Sequence, residues 1–472
     1  MKRYYKKLNP YLIAMLIGLL LFTPCTYCQA ENSNNKIPAD VNFLMQLKEF
    51  LKNNYVDEVS DIDLLRGAID GMVDSLGDPY SQYFTPKDFQ DFNETTSGNF
   101  GGIGVVINTK DKQVIVVSVL EGTPADRAGI KAGDKIIEVD GKETSELSLN
   151  EVSALIKGEA GTVVNMGILR DGEKQILKLD LPRETIKINP IEHKILGQGI
   201  GYLKIGEFNE NTVANLDRAL EDFRKGGVLG IVLDLRNNPG GLLDQAVGVS
   251  ARFVPKGPVV KVVAKDGKDQ TFMSNTEPSP FKLVVLVNGG SASAAEIVAG
   301  AIKDRGTGII VGEKTFGKAT VQRPLNLGIL GGIKLTIARY VTPNGTDINK
   351  EGIHPDVVVE YNKAASVNEF APIKQDKVLK YGNIGIDVLG LQQRLNFIKL
   401  LNASPDGVYG PRTKDAVKAL QRRKGLAVTG IADKSLYNAL DEAVAEYINS
   451  QEDVQMRRAI DLLKEELRKG AA

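Results

Sequence analysis

Leu283-Val284-Val285-Leu286-Val287-Asn288-Gly289-Gly290-Ser291-Ala292-Ser293-Ala294-Ala295-Glu296 reads as a buried strand that turns through two glycines into a helix. An unbroken apolar run fits a strand covered on both faces. The small residues after the turn leave room for a substrate backbone, and a helix N-terminus favours developing negative charge. A serine at such a turn is placed to act as a nucleophile. Ser291 and Ser293 both qualify, and both could equally do no more than cap the helix. Outward from this stretch, 228–235 is a second buried-strand candidate, and 207–223 and 292–303 have helical patterns. Alternation of this kind over 184–362 predicts an α/β domain.

A serine nucleophile needs a base. The chain has 2 histidines, His193 before a strand-like segment and His354 in the turn Gly352-Ile353-His354-Pro355-Asp356. A Ser-His-Asp triad therefore has few ways to form, and no HExxH-type spacing supports zinc. Lysine, with an ordinary pKa of ~10.4, can serve once burial disfavours its ammonium. After a strand at 308–312 come Glu313-Lys314-Thr315-Phe316-Gly317-Lys318-Ala319-Thr320-Val321-Gln322, which offer Lys314 and Lys318.

The flanking regions differ in pattern. Residues 37–94 space Val41, Leu44, Leu47, Leu51 and then Leu64, Leu65, Ile69, Met72 at helical intervals, up to a stop at Gly77-Asp78-Pro79. Residues 95–183 alternate glycine, valine and isoleucine with charged turns, a small β-rich domain with one helix near 149–157. Gly102-Ile103-Gly104-Val105 within it can turn consecutive N–H groups into one anion-binding concavity. A peptide could add as a strand there, its last side chain near Val152, Leu155 and Ile156. Residues 363–384 read as a polar linker. Two similar halves follow, Asp406-Gly407-Val408-Tyr409-Gly410-Pro411-Arg412-Thr413 and Thr429-Gly430-Ile431-Ala432-Asp433, each a glycine turn feeding a helix. A helix at 454–468 within 441–472 ends the chain.

Composition narrows the class without naming a function. At ~150 residues per domain, 472 residues suggest about three domains. Hydrophobic residues at 42% and charged residues at 25% exclude a mainly disordered, collagen-like or multi-span membrane chain. Lys plus Arg equals Asp plus Glu at 59 each, so the net charge does not point to nucleic acid. Residues 1–30 read as a signal peptide or signal anchor: Lys2, Arg3, Lys6 and Lys7 precede an apolar run at 11–22, short of the ~20 residues that span a bilayer. Cys28-Gln29-Ala30 offers a cleavage site. The remainder is then expected outside the cytoplasm, secreted or membrane-anchored and facing the cell wall. Both cysteines lie in this segment, so a processed chain has no thiol or disulfide.

Gly122-Thr123-Pro124-Ala125, Ala128-Gly129-Ile130, Gly133-Asp134-Lys135-Ile136-Ile137 and Val139-Asp140-Gly141 closely resemble PDZ domains of the bacterial protease type. The turn at Ser293, Lys318 and Gln322 after it, Leu233-Asp234-Leu235-Arg236-Asn237-Asn238-Pro239-Gly240-Gly241 and Ser75-Leu76-Gly77-Asp78-Pro79 with Ser81-Gln82-Tyr83 resemble the carboxyl-terminal processing peptidases, or tail-specific proteases. The likeness extends over about 40–362. It implies Ser293 as nucleophile, Lys318 as general base and Gln322 as the residue that orients the lysine. It also implies an oxyanion hole from the N–H groups of the Gly240-Gly241 loop and of Ala294, with Asp234 and Arg236 holding that loop. Ala319 stands where the family more often has glycine. Residues 385–440 resemble the peptidoglycan-binding module of cell-wall enzymes.

The fold implied is multidomain α/β: N-terminal helices, a β-rich PDZ domain, an α/β serine peptidase core and a small helical C-terminal module. The function implied is an exported serine endopeptidase that cuts proteins near their C-termini, with the PDZ domain recognising or gating through those termini at Gly102, Ile103, Gly104, Val105 and Val152. No metal or organic cofactor is implied. Partners are protein substrates, peptidoglycan and a second copy of the chain, the last helix pairing with the N-terminal helices of that copy. The alternative is a non-catalytic scaffold with PDZ and wall-binding modules around an inactive peptidase fold.

Overall fold

The computed structural model describes residues 39–472 except 111, 174, 278, 361–369, 451–452 and 470–472. The export segment read at 1–30 lies outside the described residues. The described residues divide into two compact units, one up to residue 68 and one from residue 69 on. In the first, helix Ala39–Asn54 leaves Phe43, Leu44, Leu47 and Leu51 exposed. Its Lys48 and Lys52 pair with Asp61 at 2.9 and 2.7 Å.

Within the second unit the helical pattern does not run unbroken to Phe92. After helix Asp61–Asp74, Gly77 adopts φ 64° and Gln82–Phe84 becomes a strand. Helix Pro86–Ser97 then begins behind Thr85, whose side chain accepts the Asp88 N–H. The strand pairs with Gly332–Val341, Gln82 opposite Lys334, in a five-stranded sheet with Gly257–Ala264, Gln270–Ser274 and Thr320–Asn326.

The β-rich domain is a sheet in the order Val105–Lys110, Gln113–Val119, Lys135–Val139, Val163–Leu169, Leu177–Pro182, with Lys142–Glu143 beside the third strand. Helix Leu149–Ile156 starts at a Ser148–Glu151 capping box and buries Val152 and Ile156 against Val116, Ile136 and Ile168. Val105–Lys110 is an edge strand of this sheet.

The central sheet runs Ile191–Gly197, Ile200–Ile205, Gly230–Asp234, Lys282–Val287, Ile309–Gly312, Val357–Val358, with the first pair antiparallel and the rest parallel. Alternation along its strands divides the core in two. Ile231, Leu233, Val285 and Val287 face helices Thr212–Lys225, Leu243–Phe253 and Ala294–Asp304. Val232, Val284 and Leu286 face the other way, onto Ala459, Leu462 and Leu463 of helix Val454–Lys469. This corrects the pairing expected for the last helix. Its apolar stripe, with Met456, Ile460 and Leu467 beside it, is spent on the sheet of its own chain.

The segment read as a linker at 363–384 also needs correcting. From residue 370 the described part belongs to the C-terminal module: Leu379 is fully buried there, bridges to Ala432, and Phe370 packs edge-on to Phe397 at 5.4 Å. The two halves of that module are built alike. Gln392 accepts the N–H groups of Asp406 and Gly407 and donates to the Val408 carbonyl. Gln421 accepts the Gly430 N–H and donates to the Ile431 carbonyl. A buried glutamine thus satisfies a glycine turn that would otherwise leave backbone groups unpaired. Among the described residues no helix is long and apolar enough to cross a membrane.

Candidate active site

Strand Lys282–Val287 ends at the Asn288 turn, and helix Ala294–Asp304 begins directly after Ser293. Ser293 holds φ 55° and ψ −113°, a conformation that costs a non-glycine residue ~1–3 kcal/mol and marks functional turns. The turn is held from several sides. The Ser293 N–H donates to Glu296 Oε2 at 2.8 Å, and the Ala292 N–H donates to the Asn238 carbonyl at 2.9 Å. Ser291 is fully buried, with its hydroxyl donating to the Leu235 carbonyl at 2.8 Å and accepting the Asn288 N–H at 3.0 Å. It braces the turn, and of the two serines Ser293 alone lines the open cavity.

That cavity, about 240 Å³, is bounded by Ser293, Lys318, Gln322, Lys334, Gly241 and Tyr340, among others. Lys318 reaches it from the loop ahead of strand Thr320–Asn326. The loop bonds to the Ser291–Ser293 turn through Phe316 N–H to the Ser291 carbonyl at 3.0 Å. Behind it, the Ile353 N–H donates to Thr315 Oγ1 at 2.6 Å, so the Gly352-Ile353-His354-Pro355-Asp356 turn is its backstop. Gly317 sits at φ 89°, where a Cβ would lie 2.9 Å from the Gly352 nitrogen. Ala319 needs no positive φ and is fully buried, so the family's usual glycine is dispensable here. Lys314 and His354 are exposed, and His193 faces Asp222 at 3.1 Å on the edge strand; none lines the cavity.

Burial, and after it the positive charge of Lys334, hold the Lys318 ammonium below its ordinary value, while Asp78 and Glu296 pull it back. Its Nζ lies 4.6 Å from the centre of the Tyr80 ring. Among the described residues no hydrogen bond joins Lys318 to Ser293 or to Gln322. The Gln322 amide instead donates to Thr320 Oγ1 at 2.8 Å and Thr336 Oγ1 at 3.4 Å. The three residues therefore share one cavity without being linked by hydrogen bonds.

The glycine loop separates into two roles. Gly240 (φ 107°) spends its N–H on Asn238 Oδ1 at 2.8 Å and its carbonyl on the Phe208 N–H at 2.9 Å. Gly241 (φ 140°) and Ala294, by contrast, have N–H groups with no acceptor among the described residues. Both residues line the cavity with Ser293, and their N–H groups are left free there. Asp234 and Arg236 brace the loop from below. The guanidinium bonds Asp234 at 2.6 Å and reaches Asp453 at 2.8 Å, at the start of the last helix.

Three neighbours escape sequence reasoning. Tyr80 follows Gly77-Asp78-Pro79, a segment read as a helix stop and as part of the family likeness, with no role given to the tyrosine. Glu296, fully buried, takes the N–H groups of Ser293, Gly317 and Lys318 and the Thr315 hydroxyl. Tyr340, 2% exposed, brings its hydroxyl to the Lys318 carbonyl at 2.6 Å and the Ser293 carbonyl at 3.0 Å. Glu296 alone carried a signal, an acid at the third position of a helix behind a serine.

In the β-rich domain the carbonyls of Gly101, Ile103 and Gly104 accept Gly158, Ala125 and Leu120 N–H groups. The N–H groups of Ile103 and Gly104 have no backbone acceptor among the described residues. Gly104 holds φ 84°, and a Cβ there would meet Thr123 at 2.4 Å. Ile103 and Val152 are buried in the domain core, so neither presents an open side-chain pocket. Among the described residues no group of three or more His, Cys, Asp or Glu side chains could hold a metal ion.

Residues 199–359 match peptidase family S41, 115–170 a PDZ domain, 385–440 a putative peptidoglycan binding domain, and 25–87 the N-terminal domain of the activating protease CtpB. The chain is 36% identical over 421 residues to the carboxy-terminal processing protease CtpA of Bacillus subtilis (strain 168), covering 89% of each. It is 33% identical to CtpB of the same organism, over 92% of this chain and 91% of that one. A solved structure, the photosystem II D1 C-terminal processing protease, is 32% identical over 71% of this chain and 95% of its own, with TM-score 0.41. On the reach and identity of the two Bacillus matches, the chain belongs to the carboxy-terminal processing proteases of peptidase family S41, which are serine-type peptidases.

Proposed function

We propose that this protein is an exported endopeptidase that cuts proteins near their C-termini through a Ser293–Lys318 pair. Neutral Lys318 takes the Ser293 proton as Oγ attacks the peptide carbonyl. The tetrahedral oxyanion is held by the Gly241 and Ala294 N–H groups, the amine leaves with a proton from Lys318, and water releases the acyl-enzyme. The observation that carries this reading is the convergence of Ser293, a partly desolvated lysine and the two free N–H donors on one cavity. The chemistry requires Lys318 to turn from Tyr80 toward Ser293, with Gln322 then accepting one of its N–H groups. Catalytic contacts commonly tighten only once substrate is bound.

The PDZ domain supplies the cue for that turn. A substrate C-terminus adds along Val105–Lys110, with its carboxylate on the Ile103 and Gly104 N–H groups and its last side chain displacing the contact around Val152. The peptidoglycan-binding domain holds the protein at the wall, outside the cytoplasm. No cofactor enters the mechanism. The exposed apolar side of helix Ala39–Asn54 takes a second copy of the chain.

The test is cleavage of an unfolded protein with an apolar C-terminus by wild type, Ser293→Ala and Lys318→Ala. Loss of cutting in both folded variants supports the pair. Retained cutting in Ser293→Ala sinks it, and a folded wild type that cuts nothing even with an added C-terminal peptide favours the scaffold alternative.

A further inference from the structure

Ser293 and Lys318 are 318 − 293 = 25 residues apart in sequence, on different elements, yet their backbones meet the same two side chains. One oxygen of Glu296, Oε2, accepts both N–H groups, at 2.8 Å from Ser293 and 2.9 Å from Lys318. One hydroxyl, that of Tyr340, faces both carbonyls, at 3.0 and 2.6 Å. The other Glu296 oxygen accepts the Gly317 N–H at 2.7 Å and the Thr315 hydroxyl at 2.5 Å. Tyr340 is itself tied back by its N–H to the Ala319 carbonyl at 3.0 Å.

The chemistry of these contacts is selective. All four Glu296 partners are donors, so only a carboxylate satisfies them, although burial pushes this carboxyl above its ordinary value. A glutamine would turn an NH₂ group toward donors. The Ala294 N–H follows Ser293 in the chain, so any slip of the serine backbone also moves an oxyanion donor. A displacement of 1 Å at a reacting group costs on the order of 10²-fold in rate.

We propose that Glu296 and Tyr340 act as one staple, a pair of positioning residues that sets the distance between nucleophile and base. The charged groups around Lys318 are Lys334, Asp78 and Glu296, and Tyr80 lies under its ammonium. Removing the Glu296 charge takes away one of the two anions that favour the protonated lysine.

This rests on the Ser293–Lys318 reading, so Ser293→Ala and Lys318→Ala serve as controls on the full chain. If either control still cuts, that reading fails; if both are dead, the staple variants decide this inference alone. Tyr340→Phe, Glu296→Gln and the double variant are compared by kcat and KM on a quenched fluorescent peptide with an apolar C-terminus, by pH profile and by thermal melting. Each single change is expected to lower kcat by about 10- to 100-fold with KM nearly unchanged. The double variant is expected to be little worse than the weaker single, because the two act as a unit. The acid limb of the profile moves to lower pH in Glu296→Gln and stays put in Tyr340→Phe. Wild-type kcat in folded Tyr340→Phe, or multiplicative losses in the double variant, each overturn the proposal. If Glu296→Gln does not fold, the kcat of Tyr340→Phe decides alone.

Discussion

Replacing Gly241 with alanine tests the proposed oxyanion donor apart from Ser293 and Lys318. Gly241 sits at φ 140°, and a Cβ there would lie 2.2 Å from the Phe208 oxygen and 2.7 Å from its carbonyl carbon. Both are backbone atoms and cannot swing aside. Relief requires the loop to leave Phe208, breaking the Phe208 N–H bond to the Gly240 carbonyl at 2.9 Å and the Leu242 N–H bond to the Phe208 carbonyl at 2.7 Å. Two backbone bonds at ~1 kcal/mol each and strain of ~1–3 kcal/mol give a stability loss of about 3–5 kcal/mol. At ~2–4 °C per kcal/mol for a domain of this size, the melting point falls by about 6–20 °C. A misplaced oxyanion donor costs a further ~10²–10³ in kcat. The assay is peptide turnover at a temperature where melting curves show the variant folded. Gly289→Ala, in the nucleophile turn but with nothing within 4 Å of its Cβ, is the control and keeps wild-type turnover. A folded Gly241→Ala protein with kcat within about threefold of wild type would refute the assignment of this donor.

Other consequences follow from the same geometry. Lys334→Met removes the charge that, after burial, holds the Lys318 ammonium below its ordinary value. The base form of Lys318 is then reached only at higher pH, so the acid limb of kcat/KM shifts upward; Lys334→Arg leaves it in place. Because the folded Lys318 pKa lies below the unfolded value of 10.5, its buried ammonium destabilises the fold, fully below the folded pKa and progressively less as pH rises toward the unfolded one. Lys318→Met is therefore inactive yet melts above wild type at neutral pH. Ser293→Gly, which relieves φ 55°, melts above Ser293→Ala by about 1 kcal/mol equivalent, measured by denaturant titration. Leu463→Ala, at a fully buried contact between the last helix and the sheet, costs about 2–5 kcal/mol; an unchanged melting point would return that helix to a role between copies.

What could be read from sequence was local. The turn at Ser293 and the loop at Lys318 announce themselves because small residues, glycines and a strand lie within a few positions of each. Tyr80 and Tyr340 do not, because pairing of Gln82–Phe84 with Gly332–Val341 in the five-stranded sheet brings them in, and a lone tyrosine carries no pattern. The difference between Gly240 and Gly241 was equally hidden: adjacent glycines look alike until Asn238 claims one N–H. The apolar stripe of Val454–Lys469 correctly called for a partner, but periodicity cannot say whether that partner is a sheet of the same chain or another copy. Residues 370–384 passed for a linker since one buried Leu379 weighs little in a polar average, though it bridges to Ala432 in the module core.

In the proposed mechanism Ser293 is the nucleophile and Lys318 its base. The direct measurement is mass spectrometry of the full chain after reaction with a fluorophosphonate, with the adduct mapped to a residue and its rate followed against pH. A single adduct on Ser293 is expected, formed faster as pH rises through the Lys318 titration and absent in folded Lys318→Ala. An adduct on Ser291, or one on Ser293 that forms at the wild-type rate without Lys318, would contradict it.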